Sequence, residues 1–551
     1  MNSSGGRSPE LSYCGTVKSF YFNLYKHLVN CGYLVVDEKW AAVGKAHDLL
    51  ALDGLEYREY QASILRSIFS AGNSLVILPT GLGKTLIGAG VCARSMAMGK
   101  KALFLAPTKP LVEQHYASLS ALIRHGEGEV AMLVGSVGKE ERGRVQGMAR
   151  VIIATPQTVA NELRKGTMSL DAFGSVVFDE CHRAVGRYAY TYIANECKLR
   201  GILTVGLTAS PGSDRKRINA LVDALGIHNI EIRSSSDPDV ARYVMPKYVH
   251  ISEVETGPTV NMIASLLKPE MDKGVATLNK FGLARFKFFF GIPKGRIIAI
   301  GREIESLKEK NYRYAAAAAY VKLLNTSHAY DLITTEGIYP FHSYLESLYM
   351  KEEKSRSLEA LLKEANIIKA REVAADAVKR GEEHPKVIRL ISILKDCRGK
   401  RSIVFAQYRS TIKMLVDFLS NNDFRAMAFV GKKQGVTQFD QKEIVDGFRA
   451  GKFDVLVASS IGEEGLDIPS VDNVIFYEPI PNEIRNIQRR GRAGRISAGN
   501  IYIIAARGTK DQIYLRVSER KELKMADIVR RVAVELKEKN ARSAAPGQAR
   551  L

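Results

Sequence analysis

Two groups of short apolar runs constrain the fold of this 551-residue chain more than any other feature of its sequence. Each run has four or five residues, nearly all of them apolar, and a longer mixed segment separates it from the next. Strands of this kind must be covered on both faces, which is typical of a parallel sheet flanked by helices. The sequence therefore predicts two α/β domains, with strands at 74–78, 102–106, 151–154, 175–178 and 203–207 in the first and at 402–405, 426–430, 455–458, 473–477 and 501–505 in the second.

The segment between the two groups is too long to be a loop within a compact domain. Its pattern is helical, because Leu358, Leu361 and Leu362 lie at helical spacing among Lys and Glu, and residues 315–319 are five consecutive alanines. We predict an N-terminal extension at 1–54, a first α/β domain at 55–239, a helical insert domain at 240–384, a second α/β domain at 385–515, and a C-terminal helix with a flexible tail at 516–551.

The net charge points to a polyanionic partner. Lys and Arg number 80 against 59 Asp and Glu, which gives a formal net charge of +21 at pH 7. An excess of this size favours nucleic acid ahead of a membrane surface, and charge that only serves solubility is the alternative. The six cysteines contain no Cys-x-x-Cys pair, and no apolar stretch approaches the ~18 residues of a spanning helix. We therefore expect a cytoplasmic protein, nucleoid-associated if prokaryotic, without a membrane segment or a zinc site.

A glycine-rich loop follows the first predicted strand and precedes a helix-like segment. Its glycines would let main-chain N–H groups approach a phosphate, and the start of the following helix adds partial positive charge. Lys84 can reach the β- and γ-phosphates, and the Thr85 hydroxyl can hold Mg²⁺. A chance glycine-rich turn is the alternative, since the generic P-loop pattern begins with a glycine that is absent here. The loop consists of Leu78, Pro79, Thr80, Gly81, Leu82, Gly83, Lys84 and Thr85.

Two adjacent carboxylates, Asp179 and Glu180, follow the predicted strand at 175–178. Ligands of open parallel sheets bind at the carboxyl ends of the strands, so this pair is a candidate site. Asp179 can hold Mg²⁺ through water, and Glu180 can act as a general base toward an attacking water molecule. A solvated acidic turn is the alternative. The glycine-rich loop upstream favours the interpretation as an ATP-hydrolysing site.

Four sequence blocks occur in a fixed order along the chain: GLGKT at 81–85, DECH at 179–182, TAS at 208–210 and QRRGRAGR at 488–495. This ordered set resembles the superfamily 2 helicases. Longer stretches at 106–112, 154–158, 207–212 and 462–469 make the chain similar to the archaeal Hef helicases and the Fanconi anaemia M protein, with the RIG-I-like receptors and the Dicer helicase module as more distant relatives. The resemblance covers about residues 55–529 and implies two RecA-like domains with ATP in the cleft between them.

The resemblance adds residues that would contact the nucleotide. Arg58 and Gln61 lie just upstream of the glycine-rich loop, and the matching glutamine of similar helicases reads the adenine edge. Gly465 and Asp467, in the second domain, would meet the ribose and signal closure.

The resemblance also implies residues that would complete catalysis from the second domain. Arg492 and Arg495 are three apart and would share one helical face, as arginine fingers directed at the phosphates. Gln488 would contact the γ-phosphate or the attacking water. The implied catalytic set is Lys84, Asp179, Glu180, Gln488, Arg492 and Arg495, with Thr85 and Asp179 as metal ligands and with ATP and Mg²⁺ as cofactors.

Polar residues that follow strands of both domains suit contact with nucleic-acid phosphates. Such contacts read no bases, as expected of a protein that must grip any sequence. Residues 268–322 of the predicted insert add 12 Lys and Arg against 5 Asp and Glu, and RFKFFF at 285–290 indicates either a clamp on duplex or branched DNA or a buried Phe cluster with charged neighbours. The predicted phosphate contacts are Thr108, Lys109, Thr155, Gln157, Gln407, Arg409 and Ser410.

We expect an ATP-dependent DNA helicase or translocase that acts on forked or branched DNA in replication-fork repair and recombination. Glu519-Arg520-Lys521 matches the start of a nuclease signature of many Hef proteins, but Met525 stands where that signature has Asp, so we expect no nuclease activity. A duplex-RNA-dependent ATPase of the RIG-I-like or Dicer type is one alternative, and a binding module with an inert ATPase is another. The expected partners are forked, branched or single-stranded DNA and a separate nuclease or replication clamp.

Overall fold

The computed structural model describes residues 49–50, 57–124, 126–186, 189–289, 292, 294–431, 438–459, 471–480 and 499–544. Two parallel sheets dominate these residues, and a helical insert lies between the strands of the first sheet and most strands of the second. Of the predicted N-terminal extension only 49–50 lies within the description, where Leu50 is buried and pairs with Ile123.

The first sheet has seven parallel strands in the order β3-β4-β2-β5-β6-β1-β7. Its strands are β1 (Ser74–Ile77), β2 (Lys101–Leu105), β3 (Val130–Leu133), β4 (Val151–Ala154), β5 (Phe173–Asp179), β6 (Leu203–Thr208) and β7 (Asn229–Ile232). All five strands predicted for this domain are present. The sequence pattern missed β3 and β7, which are the two edge strands and are fully buried at only two of their four positions.

Helices cover both faces of the first sheet, as its buried strands require. They are α1 (Glu59–Ala71), α2 (Lys84–Ala97), α3 (Lys109–Leu122), α4 (Lys139–Met148), α5 (Pro156–Arg164), α6 (Ala189–Leu199), α7 (Arg215–Leu225) and α8 (Pro238–Ala241). Two separate hydrophobic clusters, one on each face, form the core. The four cysteines in the described part of the chain are reduced and buried.

The insert is helical, as predicted, and packs around two clusters of its own. Its helices are α9 (Pro258–Lys280), α10 (Lys294–Glu305), α11 (Lys310–Asp331), α12 (Ile338–Tyr349), α13 (Arg356–Leu362) and α14 (Ala365–Lys379). A π-helical turn, Leu332–Glu336, joins α11 to α12. None of the helices in the described ranges combines the length and apolar character that crossing a membrane requires.

The second sheet has six parallel strands in the order β10-β11-β9-β12-β13-β8. Its strands are β8 (Lys247–Val254), β9 (Ser402–Phe405), β10 (Ala426–Phe429), β11 (Val455–Ala458), β12 (Asn473–Phe476) and β13 (Gly499–Ala506), and its helices are α15 (Pro385–Asp396), α16 (Arg409–Ser420) and α17 (Gln438–Arg449). All five predicted strands are again present.

Strand β8 places the start of the insert later than the predicted boundary at residue 240. All eight of its residues pair with β13, so the chain joins the second sheet before it enters the insert at Pro258. β8 is an edge strand and most of its side chains are exposed, so it lacks the apolar run that marks a central strand.

The C-terminal helix α18 (Lys510–Ala544) begins earlier than the predicted residue 516 and joins the two α/β domains. It follows β13 of the second sheet, and its side chains Met525, Val529 and Val532 are buried in a core cluster of the first domain. Arg215 of α7 forms an ion pair of 2.8 Å with Glu535 of α18. One helix therefore ties the second domain to the first.

A buried charged cluster fixes the insert to the second domain. Lys386 of α15 is fully buried, and its Nζ lies 2.9 Å from Asp511 Oδ2 of α18. The same Nζ donates to the main-chain oxygen of Thr335 in the π-helical turn at 2.7 Å. Thr411 Oγ1 of α16 donates to Glu336 Oε2 at 3.0 Å. Burial raises the pKa of Glu336, although the charges of Lys386 and Lys510 oppose that rise.

Candidate nucleotide and nucleic-acid site

The predicted phosphate-binding loop lies between β1 and α2, at the carboxyl edge of the first sheet. The Leu78 main-chain N–H donates to Thr208 O at 3.0 Å, which fixes the start of the loop to the end of β6. Gly81 and Gly83 adopt φ of 87° and 75°, the left-handed region that glycine enters without strain. Lys84 opens α2, and its Nζ donates to Leu78 O at 3.0 Å. The loop therefore has the curled backbone and the helix N-terminus that bind a phosphate.

Gln61 and Tyr60 of α1 hold the phosphate loop in place, and Arg58, the residue before α1, contacts Gln61. Gln61 is buried, its Nε2 donates to Leu82 O at 3.1 Å, and its Oε1 accepts from the Arg58 N–H at 3.0 Å. The hydroxyl of Tyr60 also donates to Leu82 O, at 2.8 Å. Gly83 packs so closely on this group that an added Cβ would lie 2.3 Å from Gln61 Nε2. The Gln61 amide thus holds the loop; its predicted contact with adenine remains a prediction.

Asp179 ends β5 and is held in place by two groups that the sequence did not single out. His115 Nε2 of α3 lies 2.8 Å from Asp179 Oδ2, and both side chains are almost fully buried. The Tyr190 hydroxyl donates to the main-chain oxygen of Asp179 at 2.7 Å. Burial beside the Asp179 charge raises the pKa of Tyr190 well above its usual value, so the phenol stays a donor.

Glu180 follows Asp179 in a left-handed conformation with φ 47°, which is rare for a residue other than glycine. A non-glycine residue held in this region is typical of functional sites. Its Oε2 is buried and makes no hydrogen bond within the described residues, although His182 Nδ1 is 3.3 Å away. Burial alone would raise the pKa of Glu180, but the contact with His182 and the charges of Lys84 and Arg183 outweigh it, so the net pKa is lowered.

His182 connects the carboxylate pair to the Thr208 block. Its Nδ1 lies 3.2 Å from Thr208 Oγ1, and Thr208 Oγ1 donates to Ser210 O at 3.1 Å. Ser210 in turn contacts α18, because its Oγ lies 2.9 Å from Met525 Sδ. Met525 occupies the position at which the nuclease signature has Asp. In the structure it is a packing residue that connects the C-terminal helix to the Thr208 block. The chain of contacts runs from Glu180 to the helix that leaves the second domain.

The residues at this edge fit a magnesium–nucleotide complex. Thr85 lies at the start of α2 beside Lys84, and β5, β6 and β1 are consecutive in the sheet, so their carboxyl ends converge. A hydroxyl and a carboxylate are the oxygen ligands that Mg²⁺ takes beside phosphates. The buried Oε2 of Glu180, which makes no hydrogen bond within the described residues, is the group that an ordered water would satisfy.

The predicted phosphate contacts of the first domain lie at the same edge, just after β2 and β4. Thr108 and Thr155 are the N-terminal cap residues of α3 and α5, the helices that follow these two strands. Thr108 Oγ1 is buried without a hydrogen-bond partner in the described residues, whereas Thr155 Oγ1 bonds Thr158 Oγ1 at 2.8 Å. Lys109 forms an exposed ion pair with Glu113, and Gln157 is exposed.

In the second domain, Gln407, Arg409 and Ser410 lie after β9 at the start of α16. Gln407 and Arg409 are exposed, and Arg409 Nη2 donates to Gly431 O at 2.8 Å. The five other predicted residues of this domain lie outside the described ranges: Gly465, Asp467, Gln488, Arg492 and Arg495.

One end of the insert carries exposed aromatic and basic side chains together. Phe281 at the end of α9 lies 5.9 Å from the ring of Tyr312 in α11, which brings the 281–289 loop to the start of that helix. Phe288 is 53% exposed and Tyr314 is 68% exposed. Phe286 and Phe289 pack against the insert core, so the described part of the RFKFFF segment, residues 285–289, has side chains both in the core and at the surface. The exposed basic residues here are Arg285, Lys287, Arg302, Lys308 and Lys310.

The fold and the site together define a P-loop NTPase with two parallel-sheet domains, the architecture of a helicase motor. Residues 58–218 match the family described as DEAD/DEAH box helicase, and residues 385–497 match the helicase conserved C-terminal domain. The crystal structure of the Pyrococcus furiosus Hef helicase domain is 37% identical, with a TM-score of 0.67, and the match covers 85% of this chain and all of that one. The chain belongs to the Hef helicase family.

Longer relatives agree with this assignment. A Methanocaldococcus jannaschii protein with the provisional name of an ATP-dependent RNA helicase is 32% identical over 88% of this chain and 62% of its own length. The ATP-dependent DNA helicase mph1 of Neurospora crassa is 30% identical over 82% of this chain and 41% of its own length. The chain thus spans less than two thirds of these relatives.

Proposed function

We propose that this chain is an ATP-dependent DNA helicase or translocase that acts on forked or branched DNA. The observation that carries the proposal is the convergence of Lys84, Thr85, Asp179 and Glu180 at the carboxyl ends of β1 and β5. Lys84 would bind the β- and γ-phosphates, and Thr85 and Asp179 would hold Mg²⁺, which neutralises developing phosphate charge when bound. Glu180, whose pKa is lowered, remains ionised and accepts the proton of the attacking water.

The second domain completes the site in this proposal. Arg492 and Arg495 would be arginine fingers, with Gln488 at the γ-phosphate or water and with Gly465 and Asp467 at the ribose. Closure of the two domains would then be needed for hydrolysis, because the fingers arrive only with the second domain. The path from His182 through Thr208 and Ser210 to Met525 of α18 supports a link between the carboxylate pair and that movement.

Nucleic acid would lie across the helix N-termini of both domains. The first residues of α3, α5 and α16 provide main-chain N–H groups and short polar side chains for phosphates, contacts that do not depend on the base sequence. The insert end defined above adds exposed aromatics beside basic residues, the combination that stacks bases and follows a backbone. We propose that this end contacts the duplex arm of a fork. The name of the Neurospora crassa relative, ATP-dependent DNA helicase mph1, supports DNA as the substrate.

The ATPase rate measured with different nucleic acids tests this function. We expect the largest stimulation from forked or four-way DNA, less from single-stranded DNA, and little from duplex RNA. Glu180→Gln is the matched control, because it removes the base and keeps the size of the side chain; its rate should fall ~10²–10⁴-fold while nucleotide binding persists. A Glu180→Gln protein with the wild-type rate would contradict the assigned base.

A duplex-RNA-dependent ATPase is the second candidate, favoured by the name of the Methanocaldococcus relative. Stimulation by duplex RNA alone in the same assay would decide for it. Absence of stimulation by every nucleic acid, together with no intrinsic hydrolysis, would indicate the inert binding module. The same reactions, run with end-labelled fork DNA, test the expectation that the chain does not cleave DNA. We further propose that the protein works at chromosomal DNA in the cytoplasm, with a nuclease or replication clamp as a separate partner.

A further inference from the structure

His115 is a buried polar residue that the proposed reaction does not use directly. It lies on α3, the helix that follows β2, and β2 pairs with β5 along residues 101–105. This neighbour relation brings His115 to the end of β5, where its Nε2 lies 2.8 Å from Asp179 Oδ2. The ring packs on Phe104 at 4.6 Å between centroids.

Packing alone does not account for an imidazole at this position. His115 Nδ1 is buried and has no hydrogen-bond partner within the part of the chain that the structure describes. A buried polar atom without a partner costs free energy, so an aliphatic side chain would fill the same space at lower cost. The one polar contact that His115 Nε2 makes in the described residues is with the carboxylate of Asp179. The benefit of the histidine must therefore lie at Asp179.

We propose that His115 is a positioning residue that orients the Asp179 carboxylate toward the magnesium ion. The proposal rests on the proposed function, in which Asp179 is a metal ligand. The Nε2–H of His115 holds Oδ2, and the Tyr190 hydroxyl holds the main chain of the same residue. The second carboxylate oxygen, Oδ1, then keeps one orientation, so the Asp179 side chain loses less conformational entropy when the metal binds. Partners of this kind behind a metal ligand typically change metal affinity ~10–100-fold when removed.

Binding of a fluorescent ADP analogue, followed as Mg²⁺ is added to metal-free protein, tests the proposal without relying on hydrolysis. We expect His115→Leu to bind the analogue in EDTA as the wild type does. It should need ~10–100-fold more Mg²⁺ to reach half of the increase in analogue affinity that the metal produces. His115→Gln should behave like the wild type, because its Nε2 reaches as far as that of histidine. A half-saturating Mg²⁺ concentration unchanged in His115→Leu would overturn the proposal.

Two further variants separate positioning from general loosening of the site. Tyr190→Phe removes the hydrogen bond to the Asp179 main chain and leaves the carboxylate contact, so it should change the Mg²⁺ requirement less than His115→Leu does. If His115→Leu does not fold, His115→Asn replaces it, because its amide is one methylene too short to reach Asp179. Equal Mg²⁺ requirements for His115→Asn and His115→Gln would overturn the proposal. A wild-type protein that binds no nucleotide would instead contradict the proposed function.

Discussion

Replacing Gly83 with alanine is expected to weaken nucleotide binding for two separable reasons. The residue has φ 75°, and an L-residue in the left-handed region costs ~1–2 kcal/mol. The new Cβ would also lie 2.3 Å from Gln61 Nε2 and displace that side chain. Displacement breaks the bonds of Gln61 to Leu82 O at 3.1 Å and to the Arg58 N–H at 3.0 Å, each worth ~0.5–1.5 kcal/mol. The sum is ~2–5 kcal/mol.

Gly81→Ala is the matched control in the same loop. Gly81 has φ 87°, but an added Cβ would meet no atom within 4 Å. Only the backbone cost of ~1–2 kcal/mol remains for this variant. The difference between the two variants is thus ~1–3 kcal/mol, which corresponds to ~5–150-fold in the dissociation constant of ADP.

A double-mutant cycle with Gln61→Ala isolates the clash. The assay is titration of a fluorescent ADP analogue, with thermal unfolding measured in parallel because strain that persists without nucleotide lowers stability instead of affinity. In Gly83→Ala/Gln61→Ala the obstructing amide is gone, so the double variant should be better than the sum of its singles by ~1–3 kcal/mol. Equal losses in Gly81→Ala and Gly83→Ala, with additive behaviour in the cycle, would refute this account of the loop.

Three further predictions concern the rest of the chain. Lys386→Met leaves Asp511 buried without its ion-pair partner and should destabilise the second domain by ~3–5 kcal/mol in urea unfolding, whereas Arg425→Met, at the exposed pair with Asp454, should cost ~0–1 kcal/mol. Burial lowers the pKa of His384 to about 3. Below pH 6.5 this histidine is therefore protonated in the unfolded chain but stays neutral in the native one, and stability falls as the pH drops. His384→Asn keeps a side-chain oxygen that can cap α15. Its free energy of unfolding in urea should therefore fall less steeply than that of the wild type between pH 6.5 and 4.5, by up to ~1.4 kcal/mol per pH unit. Glu383, whose pKa burial raises to about 7, makes stability rise as the pH drops, and it does so in both proteins. The wild type should lose ~10³–10⁵ in affinity for fork DNA between 50 and 200 mM salt. In Lys308→Glu/Lys310→Glu, at the insert end, the slope of log affinity against log salt concentration should be less steep by ~2, and an unchanged slope would place the DNA elsewhere.

Local pattern was sufficient for much of this protein. Nine central strands were predictable, because a strand buried on both faces leaves a continuous apolar run. The edge strand β10 was predictable as well, because its sequence is apolar throughout. The insert was predictable as helical from spacing alone. The phosphate loop was predictable because glycines at 81 and 83 and the following Lys84 carry their chemistry within one turn of chain. The same holds for Asp179 and Glu180, which are adjacent in sequence.

The edge strands β3, β7 and β8 and the long-range partners were not predictable. β8 is exposed and pairs with a strand about 250 residues later in the chain, so neither its composition nor the residues next to it in sequence indicate a strand. His115 and Asp179 are separated by 64 positions, and only the β2–β5 pairing brings them together. A lone histidine in a helix gives no signal of its partner.

The amino-acid order by itself determined which segments become strands and helices and which short motifs hold phosphate and metal, because those properties depend on burial and chemistry within a few residues. The tertiary structure alone decided that β8 completes the second sheet, that α18 enters the core of the first domain through Met525, and that Lys386 and Asp511 share one dry cluster. These are contacts between segments distant in sequence. Their stability comes from apolar surface and charges that only the folded chain brings out of water together.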